Sequence, residues 1–144
     1  MVEQKQTWCR VTLRLMGDAL PVDEVAKVLS LTPYRLGRKG EPMGGKVGRT
    51  NYETNIWRWT FPAESHVRVE EQIGEVLEAV ESKEAEWERL VSRPGVRAEL
   101  FVGYGSENGQ GGFELSPTML HRLAGCGLWL NLDLYPPTLD EVEF

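Results

Sequence analysis

Apolar residues fall at every second position over Thr7–Met16. Cys9, Val11, Leu13 and Leu15 lie to one side and Arg10, Thr12 and Arg14 to the other, the period of a half-buried strand. Over residues 21–29 the period lengthens to that of a helix, carried by Val22, Val25, Ala26, Val28 and Leu29, with Asp23 and Glu24 in the first turn where carboxylates suit the helix dipole. Pro33 ends that helix, because the residue before a proline avoids helical backbone. Residues 33–54 form a long connection rich in glycine, proline and base, and residues 55–61 a second strand with Trp57, Trp59 and Phe61 on one face. One long helix is expected over residues 67–91, its core stripe made by Ile73, Val76, Leu77, Val80, Trp87, Leu90 and Val91. Gly74 weakens it by about 1 kcal/mol, Lys83-Glu84 interrupts the stripe, and Pro94-Gly95 stops it. A third strand follows at residues 97–104, then a loop at 105–112 with four glycines. Ser116-Pro117 is a helix start, hydroxyl as cap and proline in the first helical position, and the helix runs to Ala124. Leu128–Tyr135 is the last strand, with leucines at 128, 130, 132 and 134 inward and Trp129, Asn131, Asp133 and Tyr135 outward.

The order is β-α-β, a long linking helix, then β-α-β, which predicts an α+β fold: one four-stranded sheet with helices packed mainly on one face. Leu20, Val25 and Val28 repeat the spacing of Leu115, Leu120 and Leu123, a faint internal echo of the two halves. At 144 residues the chain is one domain, with its core over about residues 7–136 and a flexible acidic tail at 137–144. Hydrophobic residues at 41% and charged residues at 26% support a packed core rather than disorder. No apolar run nears the ~20 residues of a bilayer span, and residues 1–6 lack an apolar signal region, so no membrane partner is expected. Cys9 and Cys126 give neither a disulfide framework nor a CxxC metal pair, which suits a reducing cytoplasm.

The net charge of -6 is unevenly spread. Residues 64–90 hold nine acids against three bases, whereas residues 35–49 hold Arg35, Arg38, Lys39, Lys46 and Arg49 against Glu41 alone. Globally the chain should repel nucleic acid; locally it can hold an anion.

Gly40-Glu41-Pro42-Met43-Gly44-Gly45-Lys46 matches the opening of a nucleotide-binding P-loop, but Val47 stands where magnesium needs a hydroxyl, and no apolar-periodic helix follows. Two other stretches carry more. The basic connection either pairs with acidic neighbours or presents arginine forks to a carboxylate or phosphate. The glycine-rich loop between a strand and a helix N-terminus is either a plain turn or a place where free N–H groups meet a ligand. The outward sheet face, with Trp8, Arg10, Arg14, Phe101, Trp129, Asn131 and Asp133, reads as a partner interface or a surface covered by the connection rather than a base-stacking platform. Neither His66 nor His121 lies in a metal-binding run, and Ser106 and Ser116 lack a nucleophile elbow. No metal, cofactor or catalytic residue is therefore assigned, and enzyme is a minority reading.

Several of these runs resemble the DUF4279 family of small bacterial domains. They are Gly103-Tyr104-Gly105-Ser106-Glu107-Asn108-Gly109, Gly112-Phe113-Glu114-Leu115-Ser116-Pro117, the last strand with Pro136, Gly17-Asp18, Pro33-x-Arg35 with Arg38-Lys39-Gly40-x-Pro42, and Gly48-Arg49-Thr50. The resemblance spans about residues 8–136. It implies a fold unit and no reaction, and it draws attention to the same two loops.

The expectation is a binding or interaction module that holds a small anion, or a protein partner, between those loops. Arg35, Arg38, Lys39 and Arg49 would supply charge, and Tyr104, Ser106, Glu107 and Asn108 shape and polar contacts. The alternatives are an immunity-type protein that neutralises a basic toxin through the acidic helix, and an enzyme whose class the sequence does not reveal. Partner identity and oligomeric state are not encoded in any motif.

Overall fold

The computed structural model describes residues 7–45, 50–61, 68–106 and 111–135. Strand β1 (Thr7–Met16) leads into helix α1 (Val22–Leu29), a short strand β2 (Arg35–Gly37) and strand β3 (Ile56–Thr60). Helices α2 (Val69–Glu81) and α3 (Glu84–Val91) follow, then strand β4 (Arg97–Ser106), helix α4 (Pro117–Gly125) and strand β5 (Leu128–Tyr135). The fold is α+β with a five-stranded mixed sheet in the order β2-β3-β1-β4-β5. Every pairing is antiparallel except β4 with β5, which the α4 crossover makes parallel.

The alternation in β1 and β4 sends Val11, Leu13, Leu15, Ala98, Leu100 and Val102 to the helix side, where Ile73, Val76, Leu77 and Val80 of α2 meet them. Trp57 is buried opposite Leu15, and Trp87 and Leu90 of α3 close the core beside Cys126 and Leu123. The ladder between β1 and β3 runs only from Thr12 to Met16, which leaves the Val11 N–H facing the core unpaired by strand. Gln72 of α2, itself buried, accepts that N–H at 2.9 Å, so a helix side chain finishes the ladder. Ser116 caps α4 by accepting the Met119 N–H at 3.1 Å.

Two expectations need correction. The sheet has a fifth strand, because Arg35–Gly37 inside the basic connection pairs with Ile56–Arg58 across β3. The linking helix is two helices: the chain breaks at Ser82-Lys83, the point where the apolar stripe is interrupted, and Lys83 leaves helical backbone at φ -129, ψ 41. That break turns α3 so that Trp87 reaches the α4–β5 turn, its Nε1 donating to the Cys126 carbonyl at 2.9 Å. The helix start at residue 67, His66 and the 137–144 tail lie outside the described residues.

Candidate functional site

The face of the sheet turned away from the helices carries the chain's concentrated chemistry. Pairing registers set it out in rows. Arg35 of β2 stands opposite Arg58 of β3, Arg58 opposite Arg14 of β1, Arg14 opposite Glu99 of β4, and Glu99 beside Trp129 of β5. Like charges facing each other across strands are unfavourable, and neighbouring strands lie only about 5 Å apart. Three arginines in line therefore store repulsion that one carboxylate relieves only in part.

Glu99 is 2% exposed. Its Oε1 lies 2.8 Å from the Arg14 guanidinium, and Arg97 approaches Oε2 at 3.2 Å. The first contact is an ion pair without the alignment of a hydrogen bond: Glu99 Oε1 and Arg14 Nε both stay without a hydrogen-bond partner while buried. The Arg14 guanidinium also rests on the Phe101 ring at 4.3 Å, and Arg97 rests on Trp129 at 4.1 Å. Among the described residues no carboxylate pairs with Arg10, Arg35 or Arg58.

One row up, Thr12 donates to Thr60 at 2.9 Å. Beyond that lie Arg10, Gly103 and Asp133, then Trp8, Gly105 and Tyr135. The two glycines of β4 are there for the tryptophan. A β-carbon on Gly105 would come within 2.5 Å of Trp8 Nε1, and one on Gly103 within 3.4 Å of the same ring. Trp8 lies across them with Tyr135 against it, ring centroids 5.1 Å apart. A hydrogen bond to Asp133, reinforced by that carboxylate's charge, holds the Tyr135 phenol protonated above the usual tyrosine range, while Arg10 pulls the other way. Trp8, Arg10, Thr12, Arg14, Tyr34, Arg58, Phe101, Gly103 and Tyr135 thus line an open depression of about 380 Å³.

The basic connection and the glycine-rich loop do not share this place. Through the registers, β2 aligns with the Arg97–Glu99 end of β4, whereas the glycine-rich loop leaves from Ser106 at the other end. The separation is roughly 25 Å along the strands. Tyr104 points to the helix side and meets Phe113 at 5.6 Å, on the face opposite Arg35. Arg49, Glu107 and Asn108, and the side chain of Ser106, lie outside the described residues.

Arg38 and Lys39 have internal partners. Arg38 binds Asp23 at 2.5 Å, and Lys39 Nζ binds Asp18 at 2.9 Å while Thr54 donates to the other oxygen of Asp18 at 2.7 Å. Those hydrogen bonds hold the Asp18 carboxyl below the usual range. Asn55 completes the clasp by accepting the Lys39 N–H and donating to the Asp18 and Leu20 carbonyls. The stretch that resembles a P-loop is a hairpin arm: the N–H groups of Gly40, Met43 and Tyr52 bond the carbonyls of Tyr52, Thr50 and Glu41. Tyr52 folds over Gly37 and covers the outer face at this end. Of the expected site residues that are described, Arg35 alone reaches the arginine row. Arg10, Arg14 and Phe101 were visible on the outward face; Arg58 and Tyr34 were missed, since the β1–β3 register brings in Arg58 and the β2–β3 pairing brings Tyr34 beside it.

A second concavity, about 650 Å³, lies between α3 and α4 beside Trp87, His121, Arg122 and Cys126. Its arginine is taken by a two-toothed pair with Glu81 at 2.5–3.2 Å, and burial pushes the Cys126 thiol up, away from thiolate chemistry. No group of three or more metal-ligating side chains occurs among the described residues. No helix there is long and apolar enough to cross a membrane.

No curated protein and no solved structure shows a significant match to the chain. A family model described as a domain of unknown function, DUF4279, matches residues 7–137, nearly the whole length. With its α+β sheet and a match over both halves, the chain belongs to the DUF4279 family.

Proposed function

We propose that the chain is a small binding module that holds an anionic ligand on the outer face of its sheet. The observation that carries this reading is the row Arg35–Arg58–Arg14, three adjacent cations answered, among the described residues, by Glu99 alone. A phosphate or carboxylate bridging Arg58 and Arg14 would supply the missing counter-charge and accept charge-assisted hydrogen bonds from their guanidinium groups. Phe101, Tyr34, Trp8 and Tyr135 give the depression aromatic walls, so an anion that carries a flat or apolar body fits better than a bare ion. The immunity-type reading has less support, because the acidic helix spends part of its charge inside the molecule, Glu81 on Arg122 and Glu70 on Arg68.

Calorimetric titration with inorganic phosphate, pyrophosphate and an aromatic carboxylate tests the reading. Arg58→Gln should weaken the best of these about tenfold or more, and Arg10→Gln less. Arg38→Ala, whose guanidinium belongs to Asp23, should leave binding unchanged. Absence of heat with every anion, or loss in Arg38→Ala but not in Arg58→Gln, would overturn it.

A further inference from the structure

The two edges of the sheet are unequal. β2 offers three residues, short enough to discourage pairing with another chain, whereas β5 offers eight. Among the described residues none pairs with the outer side of β5. The strand has none of the devices that blunt an edge: no lysine, proline or bulge interrupts Leu128–Tyr135, and Asp133 is its one charge. Its helix-side leucines are progressively uncovered, 36% exposed at Leu130, 47% at Leu132 and 63% at Leu134, and α4 adds Leu120 at 49%. On the other side Trp129 is 59% exposed.

We infer that β5 is the docking surface for a second copy of this chain, joined edge to edge in an antiparallel, two-fold pairing that makes one ten-stranded sheet. The strand's own pattern selects the register. Leucine must face leucine for both copies to keep their helices on one side, which leaves a small set of alignments. Centring on Asp133 sets two carboxylates against each other. Centring on Asn131 sets Asp133 against an indole. Centring on Leu132 places Leu130 opposite the second copy's Leu134, Trp129 opposite its Tyr135 and Asn131 opposite its Asp133, an amide that can donate to the carboxylate. That alignment buries the strand's three exposed leucines together and opposes no like charges. The arginine row begins on β1, two strands in from β5, so the pairing leaves its guanidinium groups open; Tyr135 alone belongs both to the seam and to the wall of the depression.

The test is sedimentation of the full chain across micromolar concentrations, with cysteine cross-linking to fix the register. The expected result is a reversible dimer whose dissociation constant rises about tenfold or more in Leu132→Glu, where two carboxylates would meet on the axis. In Asn131→Lys it should fall, since the new cation faces Asp133. On oxidation Leu132→Cys should link two chains, because directly opposed α-carbons lie about 4.5–5.5 Å apart, within disulfide reach. Leu130→Cys, displaced from its own copy by about 13 Å, should not. Circular dichroism verifies that the variants fold, which half-exposed positions permit. A monomer at all concentrations, including one whose own C-terminal segment fills the edge, would overturn the inference. So would a dimer indifferent to Leu132→Glu, or one in which Leu130→Cys links as readily as Leu132→Cys.

Discussion

At the scale of single residues, the most consequential side chains are those whose chemistry the surroundings must satisfy. Among the described residues Glu99 is the only carboxylate buried within the arginine row. Glu99→Gln should lower unfolding free energy by about 3 kcal/mol, because it strands Arg14 and Arg97 beside a neutral amide. Denaturant unfolding measures the loss, and the same variant should bind anions more tightly, having lost the internal competitor. Gln72 is the reverse case, an uncharged polar group that the core needs. Gln72→Leu should cost about 2 kcal/mol, since the Val11 N–H is left buried without its acceptor. Gly17 is fixed by backbone rather than side chain: its φ is +146, and a β-carbon there would stand 2.7 Å from the Gly95 carbonyl oxygen. The sequence marks Gly17 only as the end of a strand. The contact that makes it irreplaceable comes from the turn before β4.

At the scale of elements, local chemistry was legible where it is self-contained. Ser116-Pro117 begins α4 as its residue types dictate, and Ser116→Ala should destabilise by about 1 kcal/mol, read as a shift in thermal midpoint. Between elements, Arg122 of α4 holds Glu81 of α2, and its hydrogen bonds keep the Glu81 carboxyl below its ordinary value of 4.5. A carboxyl depressed on folding contributes stability above its unfolded value and loses it as pH falls through the folded one. The stability difference between wild type and Glu81→Gln should therefore be full at neutral pH and shrink as pH falls below 4.5 through the lowered folded value. Melting curves across the acid range test it, and a difference that grows as pH falls below 4.5 would contradict the assignment. The break at Ser82-Lys83 was half legible. The interrupted stripe marks its place, but a helix can also run through such a gap. What decides is the reward on the far side, where the turned α3 buries Trp87 and satisfies its indole N–H.

At the scale of the whole molecule, the sheet sorts charge by face and end. Basic residues of the connection divide between two tasks: Arg38 and Lys39 clasp the β1–α1 turn, while Arg35 joins Arg58 and Arg14 on the open face. Ligand affinity carried by that row should fall as ionic strength rises, because the site is open to solvent and its charges are screened. Titrations in increasing sodium chloride give the slope, and Arg58→Gln should flatten it.

The alternation of Thr7–Met16, the helical spacing of 22–29 and 69–80, and the cap at Ser116 are properties of neighbouring residues, so the sequence alone determined the α+β class and the buried side of β1, whereas on β5 only Leu128 of the alternating leucines is buried. Three residues at 35–37 are too few to carry a period, so β2 was invisible until β3 offered its edge. That pairing set Arg35 against Arg58, the β1–β3 register set Arg58 against Arg14, and the antiparallel run of β1 against β4 put β2 and the departure of the glycine-rich loop at opposite ends of the sheet. Register links residues dozens of positions apart through main-chain hydrogen bonds that every residue type makes alike. Only the tertiary structure could choose among those pairings, and the site lies where it chose.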